Sequence, residues 1–212
     1  GLPSQPPTIA TNVAGNVVER TLDPSNPASS QIDFVITGQD ADRDTLRLTG
    51  QPLGTDWQRL GITWQDKTGL PALQQALSWQ PGCALLAGKD TATYRLRFAV
   101  TDRSCQPRNA DTTTVTVKLR QTPADYGNVV VPNVLTPNGD GKNDTFWMPN
   151  LPADNCDDRF LGLYIVNRWG REVYKTTDRR FRWDGASQPA GVYYFVAQFT
   201  RREYKGTVTL IR

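Results

Sequence analysis

An apolar period of two, recurring along the chain, constrains the fold more than any other feature. Tyr94, Leu96, Phe98 and Val100 alternate with Arg95, Arg97, Ala99 and Thr101. Val115, Val117 and Leu119 alternate with Thr114, Thr116, Lys118 and Arg120, and shorter runs occur at Ile32, Phe34 and Ile36 and at Leu46 and Leu48. Successive side chains of a strand point to opposite faces, so each segment buries one face and needs another layer against it. Only residues 71–78 have a helix-friendly composition, and they are too few to build a helical layer. Turn residues recur every ten residues or so, the spacing of a β-sandwich. The stretch RQTPADYGN (120–128) interrupts the pattern with Pro123, Asp125 and Gly127 and reads as a linker. Strands are expected again at 129–131, 161–166, 171–176, 191–199 and 205–211. The fold class is therefore all-β: two β-sandwich domains in tandem, residues 1–121 and 122–212.

Composition narrows the function. The 212 residues contain no histidine, which removes Ser-His-Asp and Cys-His catalysis and any His-ligated zinc centre. Up to residue 120 the chain has 12 basic and 11 acidic residues, and after it 12 and 10. Neither half is a basic arm, and no nucleic-acid partner is expected. No apolar run approaches the ~18 residues of a transmembrane helix. The first residues, GLPSQPP, have neither a basic nor an apolar leader region, so a mature piece or an excised fragment, monomeric as such, is expected. Of three cysteines, Cys83 and Cys105 are a candidate disulfide in an oxidising compartment. Cys156 is the odd one, read as a small buried apolar residue.

The loop TPNGDGKND (136–144) is the densest motif. Counted from Thr136, Asn138, Asp140 and Asp144 fall at positions three, five and nine of a calcium loop, and Gly141 at six. Thr136 and Trp147 stand where an EF-hand has its first and last carboxylates, so a full EF-hand fails. Two readings stay open: a reduced calcium site on Asn138, Asp140 and Asp144, or back-to-back turns whose side chains bond their own backbone. A second acidic cluster, Asp40, Asp42 and Asp44 with Asp102, could hold a calcium between sandwich domains and resembles the acidic loops of cadherin-like repeats, but the pattern is short and common and a solvated turn is the better reading. Asp157 with Asp158, or Asp140 with Asp144, could be nominated for acid/base chemistry, but surface loop charge is the better reading. Arg179, Arg180 and Arg182, with Arg201 and Arg202, are either an anion-binding patch or edge-strand charges that prevent aggregation. Trp169 and Trp183 are read as core or turn anchors.

From residue 129 onward the chain resembles the gliding-motility-associated C-terminal domain, the type B sorting domain of the type IX secretion system in Bacteroidota. The motifs that carry the resemblance are TPNGDGKNDTF (136–146), LYIVNRWGREVYKT (163–176), WDG (183–185), PAGVYYFVAQF (189–199) and YKGTVTLIR (204–212). The first half, through DADRDTLRL, LSWQPGC and YRLRFAVTDRSC, resembles immunoglobulin-like or cadherin-like modules. The resemblance implies a non-catalytic address, recognised folded, that takes an attached passenger through the outer membrane. Its partners would be outer-membrane components of the secretion system, including a β-barrel, and its destination the cell surface or the medium. Recognition would fall on Thr136, Pro137, Asn138, Gly139, Asp140, Gly141, Asn143 and Asp144, on Asn167, Arg168, Trp169 and Gly170, or on Lys205, Gly206 and Arg212. The terminal strand could offer an edge for strand addition. The alternative is a calcium-dependent adhesin or carbohydrate-binding surface module.

Overall fold

Each of the period-two segments is a strand. The computed structural model describes residues 5–102, 110–123, 127 and 129–212, and the chain divides into two units, Gly1–Thr122 and Pro123–Arg212.

The first unit contains β1 (Thr8–Thr11), β2 (Val17–Leu22), β3 (Ile32–Gln39), β4 (Leu46–Pro52), a one-turn helix α1 (Trp57–Leu60), β5 (Lys67–Gly69), β6 (Ala72–Trp79), β7 (Thr91–Asp102) and β8 (Ala110–Gln121). They form two sheets, ordered β1-β3-β6 and β2-β8-β7-β4-β5. The chain enters on one sheet through β1, antiparallel to β3, then crosses to the other as β2, parallel to β8. Two facing sheets with a first strand divided between them make this an immunoglobulin-like sandwich. Phe34 and Phe98, both buried, meet edge to face across the core with ring centroids 6.0 Å apart. Trp57 and Trp64 stack at 5.6 Å beside them. A Cβ on Gly50 would stand 2.5 Å from the Trp64 ring, so only glycine lets that indole lie on the strand.

The helix-friendly residues 71–78 fall almost wholly in a strand. Leu73, Leu77 and Trp79 of β6 point inward, and the strand pairs with β3 over eight residues, from Ala72↔Gln39 to Trp79↔Ile32. Cross-strand packing overrides the weak local preference of Ala, Leu and Gln for helix. Cys83 opens a 3-10 turn, Cys83–Leu86. Its candidate partner Cys105 lies outside the described residues, and so does the pairing.

The second unit has one five-stranded sheet, ordered β11-β10-β12-β13-β9. Its strands are β9 (Val134–Leu135), β10 (Phe160–Val166), β11 (Glu172–Thr176), β12 (Gly191–Phe199) and β13 (Glu203–Leu210). The strand expected at 129–131 is found instead at Val134–Leu135. Among the described residues, the opposing layer is a single bridge, Phe146↔Trp183, set in long loops. Phe146 and Trp183 are buried with Leu135, Ile165, Phe195 and Leu210 in one core. Phe146 is 5.1 Å from Phe195, and Trp183 is 5.3 Å from Tyr193, centroid to centroid. Burying a Phe or Trp side chain contributes roughly 2–3 kcal/mol, so these rings can hold loops that have no ladder of their own.

Candidate recognition surface of the C-terminal unit

Strand directions gather the loops at one end of this sheet. β9 and β13 run parallel, with Leu135 beside Leu210, so the loop after β9 starts where β13 stops. Gly191 at the start of β12 pairs with Leu210, and Val166 at the end of β10 pairs with Tyr194. The 136–145 loop, the 167–171 hairpin, the 185–190 loop and Arg212 therefore share that end.

The 136–145 loop is ordered by its own polar groups. Asp144 accepts three backbone N–H bonds: Asn138 (3.0 Å) and Gly139 (2.7 Å) on Oδ1, and Gly141 (2.7 Å) on Oδ2. Those donors hold its carboxyl below the ordinary aspartate value of 3.8, with Gly139 contributing most, against an opposing effect of desolvation. Asp140 Oδ1 accepts from the Lys142 N–H at 2.8 Å, and its Oδ2 from the Asn138 amide at 3.2 Å. Asn138 Oδ1 accepts from the Asp140 N–H at 3.1 Å. Gly139, Gly141 and Asn143 take φ of 82°, 81° and 53°, and nothing lies within 4 Å of a Cβ placed on either glycine. The glycines are there for the left-handed backbone, not for packing. Leu135 before the loop and Phe146 after it are fully buried, so a rigid, exposed loop stands on two core anchors. The side-chain oxygens of Asn138, Asp140 and Asp144 already accept bonds from within the loop.

The hairpin between β10 and β11 is built the same way. Asn167 Oδ1 accepts from the N–H groups of Trp169 and Arg171, both at 3.0 Å, while Gly170 turns the chain with φ of 78°. The consequence differs from the sequence reading for one residue. Trp183 is a core anchor, but Trp169 is 77% exposed, its ring covered on one side by the Arg168 guanidinium at 4.9 Å.

Arg212 also belongs to this end, in a structural role. Its guanidinium donates to the backbone carbonyls of Gln188 (3.0 Å), Gly185 and Ala186, and so clamps the 185–188 turn. Lys205 and Gly206 lie away from it, opposite Val196 and Phe195 midway along the β12–β13 ladder. A Cβ on Gly206 would meet the Phe195 ring at 3.0 Å, so that glycine makes room for a core side chain. Lys205 pairs with Glu203 at 2.8 Å, and this hydrogen bond raises its ammonium above the usual lysine range. The terminal strand is not a free edge throughout. β9 covers Thr209 and Leu210, and the Ile211 N–H donates to Leu135 O at 2.9 Å.

The opposite end corrects the reading of Asp158. Asp158 is buried, accepting from Arg202 Nε at 2.7 Å and from the Arg201 N–H at 2.8 Å. It pins the 200–202 turn rather than charging a surface loop. Arg179 reaches Asp154 at 3.5 Å, and Arg182 lies 3.9 Å over the Trp147 ring. Arg179, Arg182 and Arg202 are thus each engaged in a structural contact. Sequence reasoning read Asp158 as surface charge and passed over Asp154, because nothing in NLPADNCDDRF marks which carboxylate turns inward.

Residues 129–210 match the family described as the CHU_C type IX secretion signal domain. No curated protein matches the chain significantly. The chain is similar to the cadherin-like domains 1 to 4 of zebrafish RET at 11% identity, covering 98% of this chain and 52% of that one, with a TM-score of 0.48. It is also similar to AggA, the major subunit of aggregative adherence fimbriae type I from Escherichia coli, at 18% identity, covering 55% of this chain and 95% of that one, with a TM-score of 0.32. A chimeric titin Z1Z2 is similar at 12% identity over 99% of this chain and 98% of that one, with a TM-score of 0.39. A type IX secretion signal marks the chain for export to the cell surface or the medium. No helix among the described residues is long and apolar enough to cross a membrane.

Proposed function

We propose that Pro123–Arg212 is a non-catalytic sorting domain, read in its folded state by an outer-membrane partner that includes a β-barrel. The immunoglobulin-like unit before it is passenger or spacer. The observation that carries this reading is the convergence, at one end of the sheet, of the self-bonded 136–145 loop and the 167–171 hairpin with its exposed Trp169. A surface held by its own hydrogen bonds loses little conformational entropy on binding, and an exposed indole beside an arginine has the composition of an interface hot spot. The parallel cap of β9 on β13 favours the loop end over strand addition at the terminus.

The test is export of a fluorescent reporter fused to residues 122–212, and to the whole chain, in a host with a working type IX system and in its secretion-null mutant. System-dependent appearance outside the cell is expected for both fusions. Retention of both in the competent host would overturn the proposal, whereas export of the full-length fusion alone would move part of the address into the first unit.

A further inference from the structure

The N-terminal unit holds a cluster whose chemistry the sorting role does not use. Asp40 follows β3, Asp44 precedes β4, and Asp102 ends β7, so three strands each deliver a carboxylate to one place. One carboxylate oxygen of each lies within 4.8 Å of the others. The β4–β7 ladder, with Leu46 opposite Asp102, holds two of the three in register. This is no solvated turn: Asp102 is fully buried and Asp40 only 8% exposed. Asp40 Oδ1 accepts from the N–H groups of Asp42 (2.9 Å) and Asp44 (3.1 Å). Its other oxygen, Oδ2, is buried and has no hydrogen-bond partner. Asp42, exposed between the other two, accepts instead from the Gln5 N–H. The alternating DADRD spacing therefore separates two inward carboxylates from one that ties down the N-terminal segment.

A buried carboxylate oxygen without a donor is strongly disfavoured, and like charges this close repel. A cation among them removes both penalties. We propose that Asp40, Asp44 and Asp102 bind one calcium ion. The donors are all hard oxygens, which suit calcium or magnesium. Ligands on opposite sides of calcium stand about 4.8 Å apart, against about 4.2 Å across a magnesium octahedron. The three oxygens, all within 4.8 Å of one another, fit inside a calcium shell. Backbone carbonyls and water complete a calcium shell in such sites.

The experiment is calorimetric titration of the chelator-treated chain with calcium chloride, with thermal unfolding followed in parallel. One calcium per chain is expected, with a rise of several degrees in the unfolding temperature of the first unit by linkage. Asp40→Asn and Asp44→Asn should each weaken binding about tenfold or more, because each removes one charged ligand, while their circular dichroism reports whether the sandwich is intact. Asp144→Asn, in the other unit, should leave binding unchanged. Absence of binding at millimolar calcium would overturn the proposal, as would unchanged binding in folded Asp40→Asn and Asp44→Asn. Loss of binding on Asp144→Asn would move the ion to the C-terminal loop. Magnesium binding as tightly as calcium would overturn the choice of cation.

Discussion

The two aspartate-rich turns of this protein look alike as strings and are opposite as physical objects. In the loop 136–144 the carboxylates face outward and are consumed by the loop's own N–H groups, three of them on Asp144. In the turn 40–44 the outward carboxylate ties down Gln5, while Asp40 turns inward with a buried oxygen left over. Glycine makes the difference. Gly139 and Gly141 let the backbone curl so that successive N–H groups converge on one side chain, whereas the first turn has two strands at its back and buries what points inward. The alternation of acidic residues does not identify a metal site; the destination of the surrounding donors does.

The largest expected effect concerns what supports the outward loop. Trp183→Ala should destabilise the second unit by about 3–5 kcal/mol, the usual cost of emptying a large aromatic site. In denaturant titration that transition should shift while the first unit's stays in place. A shift of both would mean the units are not independent, and the loops could not be treated as separate systems.

A smaller effect, with a sign that depends on conditions, separates the loops directly. Asp40→Asn removes charge from the buried turn, so in chelator the first unit should melt at the same temperature or higher, and in calcium lower than the unmodified chain. Asp144→Asn removes an acceptor that is in use and should loosen its loop in both media. If the two variants respond to calcium alike, the contrast drawn here fails.

Smaller again is the response to acid. The folded-state value of Asp144 is lowered by its N–H donors, so its contribution is fully present above the unfolded value and is lost as pH falls through the folded one. Protection of the Gly139 and Gly141 amides, taken relative to the intrinsic exchange rate at each pH, should hold at neutral pH and fall only below the ordinary aspartate value of 3.8. Loss of protection already above pH 5 would contradict the assignment. The smallest stability effect is expected at Trp169→Ala, within about 0.5 kcal/mol because the ring is mostly outside. Export should nevertheless fall, since the indole is displayed rather than packed; unchanged export would remove Trp169 from the recognition surface.

The sequence displayed the strands whose burial is one-sided, such as β7, β8 and β12, because a period of two survives wherever one face meets a core. It hid β6, whose Ala, Leu and Gln suit a helix until β3 lies alongside. The glycine-rich loop was legible because its turn chemistry is local. Asp158, Arg202 and Arg212 were not, since each finds its partner more than 20 residues away. Nor could composition distinguish Trp169 from Trp183: both follow arginine near a glycine, and only the Phe146 bridge sends one indole inward.

The parallel pairing of β2 with β8 has a mechanical consequence for a protein exported to the cell surface or the medium. A pull between the chain's two directions first peels the four residues of β1 from β3. The load then passes along the strand axis to the register running from Val17↔Thr116 to Leu22↔Gln121. Those bonds lie across the direction of pull and are strained together rather than opened one at a time. The first unit is thereby built to yield late under tension, a property suited to any passenger that has to remain folded while it is held by its ends.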